Sequence, residues 1–294
     1  MGHQTGPASG FFPSWNDDRA EASPALELLH KSGSGFNCLY RSRAGGRNRL
    51  YKVLSERYRG DMLYESLLRK EFEIGYSLTH PGICSYYSYT TLPGLGNAIE
   101  MEWIDGSTLC EWLESQPSSK ERRRVLDELL DSLAYMHRKQ VIHRDLKPEN
   151  IMITNSGQSV KIIDFGFSDS DAHAFNKGPA GTREYASPEL IEGENIDQRS
   201  DIWSLGKIIP LLLPHSRSIV RKCLADKPDD RYPNVAALQK AIAVRRRAWL
   251  GPALILVVAA AVLAVWFRPF GKADVDALVQ EAEEIISATI SLTE

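Results

Sequence analysis

His143-Arg144-Asp145-Leu146-Lys147-Pro148-Glu149-Asn150 is the stretch on which the reading of this chain turns. Its positions combine two carboxylates, an imidazole, a guanidinium, an ammonium and an amide, a mixture that an ordinary solvated loop has no need of. Upstream, Val125, Leu129, Leu130, Leu133 and Met136 recur at helical spacing, so a helix with one apolar face leads into the octet. That helix is predicted to end before Val141-Ile142, which reads as a short strand. Downstream, Val160-Lys161-Ile162-Ile163 is an apolar strand running into Asp164-Phe165-Gly166, an acid and a glycine at a strand end. Asp164 supplies the oxygen donor that Mg²⁺ prefers.

The remainder of the chain bounds the answer. Its 294 residues, 43% hydrophobic and 25% charged, suffice for one two-lobed domain or two ordinary ones and exclude a disordered tail. Lys+Arg 35 against Asp+Glu 38 gives a net charge of -3, which argues against nucleic acid as a partner because no concentrated basic surface results. Cys38, Cys84, Cys110 and Cys223 form no CxxC pair, so neither a zinc site nor a redox motif is spelled. Residues 1–24 read as a flexible leader without the regions of a signal peptide. From Leu26 to Met101 short apolar runs alternate with turns, interrupted by one helical stretch, Tyr64 to Leu78, which predicts a small sheet carrying a helix. From Leu109 onward helical periodicity dominates.

The octet and the Asp164-Phe165-Gly166 run resemble the catalytic loop and metal-binding motif of the eukaryotic-type (Hanks-type) serine/threonine protein kinase family, and the similarity extends from about Leu26 to Val244. It implies an α+β, two-lobed protein kinase fold: a small antiparallel β lobe over 25–103 and a helical lobe over 104–245, with ATP and Mg²⁺, or Mn²⁺ in its place, in the cleft. By the same resemblance Asp145 would orient the substrate hydroxyl and accept its proton, and Lys147 would neutralise γ-phosphate charge. Asn150 and Asp164 would hold the metal. Lys52 is similar to the strand lysine that grips the α- and β-phosphates, Glu71 to the glutamate paired with it, and Gly33-Ser34-Gly35 to the start of the phosphate loop. Met101 matches the residue behind adenine, the backbone of Glu102, Trp103 and Ile104 the hinge, and Met152 completes the nucleotide set.

Ala186-Ser187-Pro188-Glu189 resembles the end of the activation segment, Arg231 the arginine that pairs with its glutamate, and Asp201-Ile202-Trp203-Ser204-Leu205-Gly206 the buried helix beneath the catalytic loop. Lys147 and Thr182 point to serine or threonine hydroxyls of protein substrates. Ser168, Ser170 and Thr182 are the candidate phosphosites.

Four departures from the family pattern bear on function. The third loop glycine is replaced by Cys38 or displaced by one residue, and Leu50 stands where an alanine normally roofs adenine. Gly75, four residues after Glu71, replaces a leucine that links the lobes, and the ring of Tyr86 is expected to fill the gap. Between Gly206 and Arg221 the chain is too short for the helix that usually docks partners. These changes keep two alternatives in view, a nucleotide-binding pseudokinase acting as a membrane scaffold and a kinase for a small molecule.

Residues 248–267 carry no charge over twenty positions, enough for one transmembrane helix. Arg245, Arg246 and Arg247 before it, against Arg268 and Lys272 after it, place the kinase domain in the cytoplasm and the tail, 268–294, outside. The tail spaces Val275, Leu278, Val279, Ala282, Ile285, Ile286 and Ile290 for one helical face, which could pair with a copy of itself, pair with a partner, or rest on the bilayer.

Overall fold

The computed structural model describes residues 26–31, 35–44, 46–166, 184–266 and 279–287. The leader, Gly33, Ser34, Ser168, Ser170, Thr182 and most of the tail lie outside the described residues; within the tail, 279–287 is helical.

The first half forms the expected small antiparallel lobe. β1 (Leu26–Lys31), β2 (Asn37–Ala44), β3 (Arg47–Leu54), β4 (Tyr86–Leu92) and β5 (Gly96–Glu102) build one antiparallel sheet in the order β1-β2-β3-β5-β4. Facing residues of an antiparallel pair share a side of the sheet. Leu39 lies opposite Lys52 and Cys38 opposite Val53, so Cys38 is on the side away from Lys52, buried in a cluster with Val53 and Ala98. Cys38 is therefore a core residue of the sheet.

Helix α1 (Met62–Ser77) begins on Asp61, whose Oδ1 accepts the Leu63 N–H at 2.9 Å. It turns Leu68, Glu71 and Gly75 inward, the spacing of a single helical face. A methyl group at Gly75 would stand 2.6 Å from the ring of Tyr86, so the ring occupies the volume that the glycine leaves, as expected from the sequence.

The lobes meet at residues 103–105, between β5 and β6 (Gly106–Thr108). A side chain at Gly106 would lie 2.2 Å from the Ile153 carbonyl oxygen, and its absence lets β6 pair with β7 (Ile151–Thr154), which pairs in turn with β8 (Val160–Ile162). Helices α2 (Leu109–Glu114) and α3 (Ser119–Arg138) each start with a reciprocal capping box, Thr108 with Glu111 and Ser118 with Glu121. All five apolar residues predicted to share a face of α3 are buried. The expected strand at Val141-Ile142 does not form: the Val141 N–H closes the end of α3 on the Met136 carbonyl at 3.0 Å, and the His143 N–H goes to the Asp201 side chain at 2.9 Å.

Helices α4 (Pro188–Glu192), α5 (Arg199–Leu212), α6 (Arg217–Cys223) and α7 (Val235–Trp266) complete the large lobe. Residues 213–216 join α5 directly to α6, so no docking helix lies between them. Gly206 permits the close approach, since a side chain there would sit 2.8 Å from Cys223. Among the described residues no helix is long and apolar enough to cross a membrane. The segment expected to cross, 248–267, is helical up to Trp266 as the second half of α7 and not as a separate helix. The side chains of 246–256 and 264–266, and all of residue 267, lie outside the described residues.

Arg231 and Glu189 form a buried bidentate pair at 2.7 and 2.8 Å, and Ser200 Oγ donates to the same carboxylate at 2.7 Å. Burial opposes the charge on Glu189, but these bonds outweigh it and hold its carboxyl down at about 2, from 4.5. A depressed acid stabilises the fold fully above its unfolded pKa, and that contribution is lost as pH falls from 4.5 to about 2. Urea unfolding near neutral pH should find Glu189→Gln about 3–5 kcal/mol less stable, because Arg231 is left buried and unpaired, and the difference should narrow across that acid window. Gly75→Ala should cost about 1–3 kcal/mol in the same assay in spite of its better helix propensity, because the Tyr86 ring must move.

Candidate active site

The site begins with Asp201 in α5, which is wholly buried and accepts the N–H groups of His143 and Arg144 at 2.9 Å each. His137 Nε2 approaches the same carboxylate at 2.8 Å. Burial would raise the Asp201 pKa, but the bonds to His137 and the loop backbone lower it, so it stays ionised as a fixed acceptor. Arg144 is held at φ 64°, a left-handed conformation that a non-glycine residue adopts when surrounding bonds impose it.

This constraint turns Asp145 into the cleft. Its Oδ2 receives Lys147 Nζ at 2.8 Å and Asn150 Nδ2 at 3.0 Å, while Asn150 Nδ2 also donates to the Asp145 carbonyl at 2.8 Å. Burial raises the Asp145 pKa against the lowering effect of Lys147, the direction that favours proton acceptance. With Nδ2 committed to Asp145, the Oδ1 atom of Asn150 is left as the oxygen available to a cation.

On the opposite wall, Lys52 Nζ lies 2.8 Å from Glu71 Oε1 and 2.9 Å from Asp164 Oδ1. Burial would lower the Lys52 pKa, but the two carboxylate charges outweigh it and raise it, so the ammonium stays charged. Burial acts to raise Asp164 as well, yet Lys52 and the Gly166 N–H bring its carboxyl down to about 2. Asp164 also has positive φ, 65°, and keeps 38% of its side chain exposed, the open face that a metal ligand needs. Among the described residues no three His, Cys, Asp or Glu cluster as a protein-only metal cage. Asp164 and Asn150 nevertheless fit Mg²⁺, which takes one or two protein oxygens and completes its shell with phosphate and water.

Phe165 is fully buried between Tyr86 and His143, with ring centroids at 5.5 and 5.7 Å. Leu50 faces Met101 across β3 and β5 and packs on the main core. Met152 lies half-buried on β7, in the large lobe. The side chain of Glu102 accepts the Ser85 N–H at 3.0 Å and Lys161 Nζ at 2.8 Å. Trp103 lies under the Arg41 guanidinium, 5.4 Å from its ring centroid, and Ile104 is buried. Of the phosphate loop, Gly35 is described, at φ 74°, with its carbonyl bound by Ser55 Oγ at 2.6 Å.

Two features were not anticipated. The Tyr86 hydroxyl donates to Glu71 Oε1 at 3.0 Å, and Phe36, Tyr58 and Tyr64 form an aromatic cluster that ties the loop to α1. The expected gap at Gly75 located the Tyr86 ring but carried no information about its hydroxyl. Nothing in the spacing of the three aromatics marks them as a cluster.

With this geometry in view, residues 31–220 match the family described as Protein kinase domain. The chain is 36% identical over 185 residues to a probable serine/threonine-protein kinase of Streptomyces coelicolor, covering 57% of this chain and 26% of that protein. It is 37% identical over 144 residues to Aurora kinase B of Mus musculus, covering 48% and 41%. It is also 32% identical over 174 residues to an SNF1-related protein kinase catalytic subunit of Arabidopsis thaliana, covering 58% and 35%. It thus spans less than half the length of each of these relatives. A lysine bridging two acids across the cleft, a buried aspartate beside a lysine and an amide, and this match over most of the domain lead to one conclusion: the chain belongs to the protein kinase domain family.

Proposed function

We propose that this chain is an ATP-dependent serine/threonine protein kinase that moves the γ-phosphoryl group of ATP to hydroxyls of protein substrates. The observation that carries the reading is the joint assembly of Lys52–Glu71, Lys52–Asp164 and Asp145–Lys147 contacts, each at 2.8 or 2.9 Å, on the two walls of one cleft. Phosphoryl transfer asks the protein for positioning and charge neutralisation more than for covalent chemistry. Lys52 would bind the α- and β-phosphates, Asp145 would aim the hydroxyl and take its proton, and Lys147 would offset charge on the γ-phosphate. Bound between Asp164, Asn150 and the phosphates, Mg²⁺ would neutralise the charge on the transferred group. Serine or threonine is favoured by Lys147 and Thr182 and by the relatives described as serine/threonine kinases.

The membrane part of the reading is supported by the uncharged sequence 248–267, by Arg245 to Arg247 before it, and by the helical backbone that continues from the large lobe to Trp266. Val258, Val262 and Leu263 on that helix are more than half exposed or at half, as apolar side chains in lipid would be. On this reading the kinase domain is anchored at the cytoplasmic face, substrates are selected by colocalisation, and the tail faces outward to meet a second copy or another partner. A nucleotide-binding scaffold without turnover is the second reading, favoured by Leu50 in the adenine roof.

The test is transfer from γ-labelled ATP by the full chain, with Mg²⁺, to itself and to a generic basic protein. Label on serine or threonine is expected, and Asp145→Asn should lower the rate about 10²- to 10⁴-fold while nucleotide still binds. Asp164→Asn should remove the Mg²⁺-dependent part of nucleotide binding. Bound nucleotide with no transfer would establish the scaffold, and unimpaired transfer in either variant would refute the roles assigned.

A further inference from the structure

Tyr86 meets Glu71 in two ways. Its ring fills the space above Gly75, where a methyl group would stand 2.6 Å away, and its hydroxyl donates to Glu71 Oε1 at 3.0 Å. The same oxygen accepts Lys52 Nζ at 2.8 Å. Lys52, Glu71 and Tyr86 are 5%, 3% and 6% exposed, so water does not compete for these bonds. Lys52 is shared with Asp164, and a second donor therefore matters to Glu71 more than it would if the ammonium were its own. Gly75 and Glu71 are four residues apart on one face of α1, so a larger side chain at 75 would push the ring away and draw the hydroxyl off the carboxylate.

We propose that Tyr86 is a positioning residue for the phosphate-binding lysine: its hydroxyl, admitted by Gly75, holds Glu71 and with it α1 and Lys52 in the nucleotide-binding arrangement before nucleotide arrives. The proposal rests on reading the cleft as an ATP site. It makes Gly75 and Tyr86 a linked pair, with the missing side chain on α1 as the condition for the hydrogen bond from β4. The arrangement of Lys52 then depends in part on a contact inside the small lobe.

Calorimetric titration of ATP with Mg²⁺ into the full chain tests this with wild type, Tyr86→Phe, Glu71→Ala and the double variant. Tyr86→Phe keeps the ring and is expected to bind nucleotide about tenfold more weakly or worse, the scale of a lost hydrogen bond to a charged group. On the Glu71→Ala background the same change should have no further effect, whereas a packing role alone would alter stability and leave this coupling absent. Wild-type affinity in Tyr86→Phe, or an undiminished tenfold loss on the Glu71→Ala background, overturns the proposal. If Tyr86→Phe does not fold, Gly75→Leu with Tyr86→Leu replaces it: weakened binding is expected from that aliphatic pair, and wild-type affinity overturns the idea. A wild-type chain that binds nucleotide but transfers no phosphate would sink the kinase reading and leave the Tyr86 comparison intact. One that binds none would end both.

Discussion

The ammonium group of Lys52 is the charge around which the cleft is organised. It touches Glu71 from α1 and Asp164 from the segment after β8, so one side chain of β3 joins three elements of two lobes. Each partner alone would be costly: an ion left buried without its counter-charge destabilises a fold by about 3–5 kcal/mol. The three groups therefore favour a single mutual arrangement, and that arrangement is the one in which an ammonium and an open carboxylate face the space where phosphate and metal would lie. Glu71 is pushed up by burial, which makes every donor to it count. Burial and the adjacent Glu71 charge raise the Tyr86 phenol, so it keeps its proton and serves as such a donor.

The large lobe solves a different problem, the fixing of a loop that has no sheet to hold it. Asp201 does this from below by accepting two consecutive backbone N–H groups, and the left-handed turn at Arg144 follows from that grip. Asp164 takes a second left-handed turn after β8, and fully buried Phe165 packs its ring against His143 of the first loop. Strain of this kind persists where several independent bonds over-determine the backbone. The Glu189–Arg231 pair adds the same rigidity where the segment after 183 returns to the lobe, and it reaches past residue 220, where the family match stops.

The lower face shows how the fold adapts to a lost element. Residues 213–216 replace the usual docking helix, and Arg245 of α7 donates to the His215 carbonyl and to Ser218 Oγ at 3.0 Å, tying the last helix onto that connection. The arginine read from sequence as a membrane flank serves in the fold as an internal clamp. Helix α7 is continuous from Val235 to Trp266, with a buried start at Val235 and Leu238.

The linear order of residues determined a good deal on its own. The helical face of α3 could be read from residue type and spacing, because that pattern is local and repeats the period of a helix, whereas the octet from His143 to Asn150, the Asp164-Phe165-Gly166 run and the vacancy at Gly75 were legible through their resemblance to the kinase family. What depends on pairing across the chain was decided only by the tertiary structure. The side of the sheet that Cys38 occupies hangs on its register against Val53, and a one-residue shift reverses every side chain of a strand. The failure of Val141-Ile142 to become a strand reflects the want of a neighbouring strand, which no local pattern reports. The hydrogen bond from Tyr86 to Glu71 joins residues fifteen apart through the packing of a helix on a sheet, so it exists only once the two surfaces have met.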